Sequence, residues 1–263
     1  MANSNWKGKA GRSLLAMEHT TQMKELYSNE IRECILKSNI YGPHFSIELK
    51  KFNVRPKRVD ISLEAADSVT SVVYNPTEGK NTTALLNFAS YKTPGGMFLA
   101  GANAQEEAIC HESILFNVLK EFPEYYTWNN MNKNRALYLD RAIYSKDVLF
   151  IKNYEQAKAD VITCACPNKK AAQEYCEVTN EENYEVLKQR IEFVLKLAAI
   201  NRVDTLILGA FGCGVFGQDP IEVATIFKEY LDKYPFIFDK VIFAIPDREG
   251  TNYLAFKEVL NGE

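Results

Sequence analysis

Ala84-Leu85-Leu86-Asn87-Phe88-Ala89, then Gly95-Gly96, then Gln105-Glu106-Glu107 stand in close succession, and their reading decides the fold. The first run is short, apolar and bounded by polar residues, which predicts a buried strand over 83–89. After the glutamates, Ala108, His111, Leu115, Val118, Leu119 and Phe122 recur every three or four residues, as one face of a helix over 104–122 must. The glycine pair and the carboxylates therefore occupy a loop between strand and helix. In open α/β sheets, ligands bind beyond the carboxyl ends of the strands, where such loops converge and helix starts leave N–H groups unpaired. A flexible turn joined to two adjacent carboxylates at a helix start is the layout of a site that binds an anion and protonates something. Gln105 is placed to reach back and close the loop.

Outward from this stretch, Leu14, Met17, Met23, Leu26, Ile31, Ile35 and Leu36 predict one or two N-terminal helices between 12 and 38. A short helix is expected from Leu63 to Val73, and a loop over the Asn-rich, aromatic stretch from Tyr125 to Arg135. Candidate strands follow near 138–144, 147–152 and 160–166, then a long helix over 181–200. Val203-Asp204-Thr205-Leu206-Ile207-Leu208 reads as another strand. Asp219-Pro220 marks a clean helix start, because Asp accepts N–H bonds at a cap and Pro is tolerated in the first turn. A last strand covers 240–246 and a last helix 250–260. Strands alternating with helices predict a mixed or mostly parallel sheet covered on both faces. Without a repeat or a low-complexity linker, the chain divides into a flexible tail at 1–11 and one domain over 12–263.

The 263 residues are 46% hydrophobic and 12% aromatic, enough for a substantial core. No apolar run approaches the roughly 18 residues that span a bilayer, and the polar start lacks a signal-peptide core. A cytoplasmic protein with six reduced cysteines is expected, because a chain this rich in core residues needs no disulfide staples. The net charge of −3 does not attract a polyanion at long range. Phosphate binding must then be local, through backbone N–H groups, and no direct nucleic-acid or membrane binding is expected. Cys164 and Cys166 share one face of a strand but lack a second pair to complete a zinc site. Cys110 and His111 diverge on their helix, so neither pair argues for metal or thiol chemistry.

A second glycine-rich loop lies far along the chain, in Gly209-Ala210-Phe211-Gly212-Cys213-Gly214-Val215-Phe216-Gly217-Gln218-Asp219-Pro220. Gly212, Gly214 and Gly217 spell the dinucleotide fingerprint, but too little chain follows them for further βαβ units. The expected acidic residue at the end of a next strand is also missing, since Asp232 sits in a helical pattern. Glycines here still let successive N–H groups turn toward one ligand, and the following helix adds its positive end. A diphosphate is the natural guest.

The Gly-Gly pair followed by Gln-Glu-Glu, together with the later glycine-rich loop in the same order, resembles bacterial-type poly(ADP-ribose) glycohydrolases, which are macrodomain proteins. The similarity runs from about residue 12 to the C-terminus. It implies a three-layer α/β/α macrodomain with a mixed sheet and an N-terminal helical extension. It further implies a monomeric enzyme that needs no cofactor or metal and acts on ADP-ribose polymer or ADP-ribosylated protein.

By the same resemblance, Glu107 is the catalytic acid and Glu106 holds ribose hydroxyls. Asn87, Thr93, Gly95, Gly96 and Gln105 belong to the substrate-binding surface, with Phe211, Gly212, Cys213, Gly214, Val215, Phe216 and Gly217 around the diphosphate and Phe216 against the distal ribose. Two features depart from the family's pattern. Thr93 stands where an Asn usually precedes Pro-Gly-Gly, and Met97 replaces the third glycine. Adjacent helical residues point about 100° apart, so the glutamates must divide the work. The helix dipole favours their ionised forms, and a bound diphosphate would restore the acid's proton. A non-catalytic ADP-ribose reader and a hydrolase of single ADP-ribose units are the alternative functions.

Overall fold

The computed structural model describes residues 8–75 and 81–262. Seven strands form one sheet: β1 (Asn39–Tyr41), β2 (Asp60–Glu64), β3 (Thr83–Phe88), β4 (Ala142–Lys152), β5 (Glu155–Cys164), β6 (Thr205–Leu208) and β7 (Lys240–Ala244). Their spatial order is β1-β4-β5-β3-β6-β7-β2. The five strands from β5 to β2 are parallel, and β4 and β1 extend the sheet antiparallel at one edge.

Parallel strands must be buried on both faces, and the side chains alternate accordingly. Ala84 and Leu86 of β3, Leu206 and Leu208 of β6, and Val241 and Phe243 of β7 face one core. Leu85, Ile207 and Ile242 face the other. The first face is covered by α8 (Asn180–Ile200), α9 (Pro220–Lys233) and α10 (Thr251–Asn261), through residues such as Leu187, Ile191, Phe227 and Phe256. The second is covered by α2 (Ser28–Lys37), α3 (Ser68–Tyr74), α4 (Gln105–His111), α5 (Leu115–Leu119) and α6 (Pro123–Met131), through Ile31, Val72, Ile109, Leu115 and Tyr125. The result is the expected three-layer α/β/α arrangement. α1 (Lys9–Leu26) and α7 (Lys169–Cys176) complete the helices.

Several local expectations are corrected. The flexible tail is not seen at 9–11, which open α1, while residues 1–7 lie outside the described residues. The stretch expected to be helical from Leu63 divides into β2 and α3. Asp67 starts α3 by accepting the Thr70 N–H at 2.9 Å. The helix over 104–122 breaks after His111, because the Ile114 N–H donates to the Leu149 carbonyl and the Ile151 N–H to the Glu112 carbonyl. Tertiary pairing with β4 thus overrides the helical period. The stretch from Tyr125 is helix α6, with Pro123 in its first turn and Tyr125, Tyr126 and Asn129 buried. The strands at 138–144 and 147–152 are one strand, β4, kinked between Ser145 and Val148 with Asp147 at φ 57°. β4 turns into β5 through Asn153 and Tyr154, both at positive φ, the conformation that suits a tight hairpin.

The long helix α8 opens with a capping box, in which the Glu182 N–H donates to Thr179 and the Thr179 N–H to Glu182. α9 starts where the sequence places it: Asp219 accepts from the Ile221 and Glu222 N–H groups at 2.8 and 3.2 Å. Asp219→Ala should therefore lower stability by about 1 kcal/mol in urea unfolding, without changing the m-value.

Candidate active site

The loops at the carboxyl ends of β3, β5 and β6 meet over the middle of the sheet. α4 begins directly after the Gly95-Gly96 loop, and its first turn carries Gln105, Glu106 and Glu107. Gln105 fastens this turn to the neighbouring strand. Its Oε1 accepts the Phe88 N–H at 2.8 Å, while its Nε2 donates to the Leu86 carbonyl at 2.8 Å and to Ser68 Oγ at 3.0 Å.

Both glutamates are almost fully buried, Glu106 at 3% exposure and Glu107 at 6%. Glu106 accepts the Ser90 N–H at 2.7 Å and Asn87 Nδ2 at 3.3 Å. Glu107 accepts the Met97 N–H at 2.9 Å with one oxygen and the Ala104 N–H at 2.9 Å with the other. Gly96 sits between the two groups at φ +60°. A Cβ there would stand 2.6 Å from Glu107 Oε1 and 2.9 Å from Glu106 Oε2. Only glycine permits that approach. The neighbouring Gly95, at φ +64°, is closed off by the Phe116 ring. Thr93 is exposed and donates its hydroxyl to the Gly96 carbonyl at 3.1 Å, so it braces the turn from outside.

The second loop presents a different surface. Among the described residues, the N–H groups of Gly212, Gly214, Val215 and Phe216 find no acceptor in the protein. The loop is shaped by the Gly217 N–H donating to Gly214, the Gln218 N–H to Gly212, and the Lys170 N–H to Phe216. Gly212 lies at φ +80° directly over Cys166 Sγ, where a Cβ would collide. Beneath, α8 secures both this loop and the one after β5. Asn183 and Gln218 exchange amide hydrogen bonds at 2.9 Å, and Gln218 Nε2 donates to the Pro167 carbonyl at 2.8 Å. The buried Arg190 donates to Asp140 at 2.6 Å and to the Ala165 carbonyl.

Aromatic rings connect the two loops. Tyr91, which precedes the Gly95-Gly96 turn, stacks on Tyr138 with centroids 4.1 Å apart, and Tyr138 meets Phe216 edge-on at 6.2 Å. Tyr138 is delivered by a backbone run in which Asn134, Arg135, Ala136 and Tyr138 all have positive φ. Alongside lies a cavity of about 330 Å³, bordered by Asp67, Val69, Phe88, Gln105, Ala210 and Ile245. It abuts the start of α4 but includes neither glutamate.

Of the residues expected to touch substrate, Gly96, Gly212, Gly214, Val215, Phe216 and Gly217 are brought to this cleft. Two are not. Asn87 is fully buried on β3 and supports Glu106, and Phe211 is fully buried against Phe88, with ring centroids 5.5 Å apart. The half-buried Cys213 turns its thiol toward the Phe211 carbonyl at 3.8 Å. The donors of Ser90, Met97 and Ala104 are backbone N–H groups, which leave no side-chain signature in the sequence. The stack of Tyr91 on Tyr138 leaves none either, because the two lie far apart in the chain.

The family profile for the microbial-type PARG catalytic domain matches residues 11–153, more than half of the chain. The chain belongs to that family. A poly(ADP-ribose) glycohydrolase from Thermomonospora curvata, bound to the inhibitor ADP-HPD, is 29% identical and superimposes with a TM-score of 0.81, covering 95% of this chain and 99% of its own. A poly(ADP-ribose) glycohydrolase from Deinococcus radiodurans in complex with ADP-ribose is 28% identical, with a TM-score of 0.79 and coverage of 88% and 97%. No curated protein matches the chain.

In this microbial-type PARG domain, burial pushes the Glu106 carboxyl up to about 8, against the opposing pull of its Ser90 and Asn87 hydrogen bonds, with the nearby Glu107 adding to the rise. Desolvation thus favours the protonated form of Glu106 near neutral pH with no ligand bound. Burial likewise pushes the Cys110 and Cys166 thiols well up and Cys164 up to about 12, the wrong direction for nucleophiles. Among the described residues, no group of three or more His, Cys, Asp or Glu is placed to hold a metal ion, and no helix is long and apolar enough to cross a membrane.

Two measurements check this geometry. Gly96→Ala should destabilise the protein by about 1–3 kcal/mol in thermal or urea unfolding, because the added Cβ meets both carboxylates in a left-handed backbone conformation. The raised Glu106 carboxyl stabilises the fold fully below its ordinary value of 4.5, and that contribution is lost as pH rises from there through about 8. Across this window the wild-type protein should lose stability relative to Glu106→Gln, whose amide does not titrate.

Proposed function

We propose that the chain is a poly(ADP-ribose) glycohydrolase that cleaves the ribose-to-ribose O-glycosidic bond and releases ADP-ribose. The observation that carries this reading is the meeting of two buried carboxylates with a row of unpaired N–H groups across one cleft. Family membership and the similarity to structures holding ADP-ribose or ADP-HPD support the same assignment.

The diphosphate lies on the N–H groups of Gly212, Gly214, Val215 and Phe216, close to the start of α9, where oriented N–H dipoles replace the basic surface that the chain lacks. The adjacent cavity takes the adenine. Its walls of Val69, Phe88, Ala210 and Ile245 suit a flat apolar guest, and its volume is at the lower end of small-ligand pockets. Phe216 packs against the distal ribose, which directs its anomeric carbon at the start of α4.

Glu107, whose protonated form the negative charge of the bound diphosphate favours, gives that proton to the 2′ oxygen of the departing unit as the bond from C1″ to that oxygen breaks, leaving an oxocarbenium-like ribosyl cation. The resulting Glu107 carboxylate then takes a proton from a water molecule as the water oxygen bonds to C1″. The proton balance closes and no covalent intermediate is needed. Most glycosidases place two separated carboxylates on either side of the bond. Here one carboxyl plays both parts, with the substrate's phosphates as its electrostatic complement. Glu106 holds ribose hydroxyls, and Asn87 acts through it. Residues 12–263 work as one domain, a reading supported by a single sheet whose strands extend from Asn39 to Ala244.

Glu107→Gln should lower the rate of ADP-ribose release from polymer by roughly 10²–10⁴-fold, the contribution of a positioned acid. Calorimetry should show ADP-ribose affinity largely retained in the variant. Near-normal turnover by Glu107→Gln would remove the assignment. Release from mono-ADP-ribosylated protein with intact polymer would change the substrate, and wild-type binding without product would make the protein a reader.

A further inference from the structure

The loop from Gly95 to Ala104 holds Glu107 by two backbone N–H groups, at Met97 and Ala104. Between them the chain makes a short 3-10 turn over Phe98–Ala100. One side of this turn faces the carboxylates, and α1 covers the other. Arg12 Nε donates to the Gly101 carbonyl at 2.7 Å, and Ser13 Oγ donates to the Leu99 carbonyl at 2.6 Å. Ala16, one turn on, is fully buried against Phe98, Cys110 and Phe116. Another turn on, His19 Nε2 donates to the Ser113 carbonyl at 2.9 Å, and Asn117 Nδ2 donates to the Thr20 carbonyl at 3.0 Å. Residues 12, 13, 16, 19 and 20 form one helical face. That whole face is spent on the catalytic loop and the two short helices behind it.

The approach is as close as backbone allows. Gly101 lies at φ +75°, and a Cβ there would collide with the Lys9 carbonyl and come within 3.0 Å of the Ser13 N. α1 itself lacks a side-chain N-cap and exposes Leu14, Leu15 and Met17 on its outer side, so its inward contacts are what seat it. The path from α1 to the reacting group is short and contiguous: Arg12 and Ser13 fix the carbonyls of Gly101 and Leu99, the turn fixes Met97 and Ala104, and these fix both oxygens of Glu107.

We propose that Arg12 and Ser13 are positioning residues for Glu107, which makes the N-terminal helix a working part of the catalytic centre. This inference rests on the reading of Glu107 as the acid. Neither residue approaches the diphosphate loop, which is anchored from α7 and α8, so substrate affinity and turnover should separate.

The test uses the full chain and compares Arg12→Ala, Ser13→Ala, their double variant and Arg12→Lys. Loss of either hydrogen bond should lower kcat on polymer about tenfold, while KM and the calorimetric Kd for ADP-ribose change less than about twofold. Arg12→Lys, which keeps a donor, should recover most of the rate. In the same variants, amide hydrogen exchange at residues 96–104 should quicken, with exchange at residues 212–217 unaltered. A double variant with wild-type kcat and wild-type exchange in the loop would overturn the inference, as would a parallel loss of ADP-ribose binding and turnover. Hydrogen exchange reads loop order without turnover, so an inactive wild-type protein would sink the functional reading while the loop data still decided this one.

Discussion

The site depends on one close approach: the backbone of Gly96 laid against two carboxylates that are themselves almost out of water. Burying a carboxyl costs several kcal/mol unless hydrogen bonds replace its hydration or it keeps its proton. Both remedies are present. Glu107 receives an N–H on each oxygen from the two ends of the loop, and Glu106 holds a proton near neutral pH while accepting from Ser90 and Asn87. The loop is therefore shaped by the carboxylates as much as it shapes them. Any side chain at position 96 would force apart the groups that give the turn its form.

The sheet explains why the buried glutamates and the loop of unpaired N–H groups arrive at the same place. β3 lies between β5 and β6, all parallel, so the loop after β3 carries the glutamates while its neighbours carry Cys166-Pro167 and the glycine-rich turn. The chain is mildly acidic and offers a diphosphate no long-range attraction. The anion site proposed for it is built from N–H groups, which act at contact distance and are little screened by salt. Tyr91, Tyr138 and Phe216 then keep the acid loop and the anion loop in register across the cleft.

The layered fold was legible in the sequence because apolar runs of strand length alternate with helical periods, and burial on both faces leaves that pattern intact at β3, β6 and β7. The glutamate pair and the glycine-rich loop were legible because unusual residue types mark them. The rest was hidden for identifiable reasons. β1 is three residues long, and β2 borrows only Ile61 and Leu63 from a stretch that also reads as helix. The break after His111 is imposed by hydrogen bonds from β4, some forty residues away in sequence. α6 is polar and aromatic rather than periodic, and its buried Tyr125, Tyr126 and Asn129 follow from what it covers. Within the site, donors such as the N–H groups of Ser90 and Met97 belong to the backbone and have no letter of their own. Asn87 and Phe211 carry plausible letters, yet the pleat of β3 turns the first inward and the tight turn after β6 packs the second against Phe88.

The long helix beneath the cleft brings a mechanical consequence. Asn183 and Arg190 stand two turns apart on α8, one gripping the end of the glycine-rich loop through Gln218, the other gripping the loop after β5 through the Ala165 carbonyl. A single rigid rod is thus bolted to two neighbouring rims of the cleft. A shift of that rod along its axis would carry both rims together, so the two loops it holds would move as one piece.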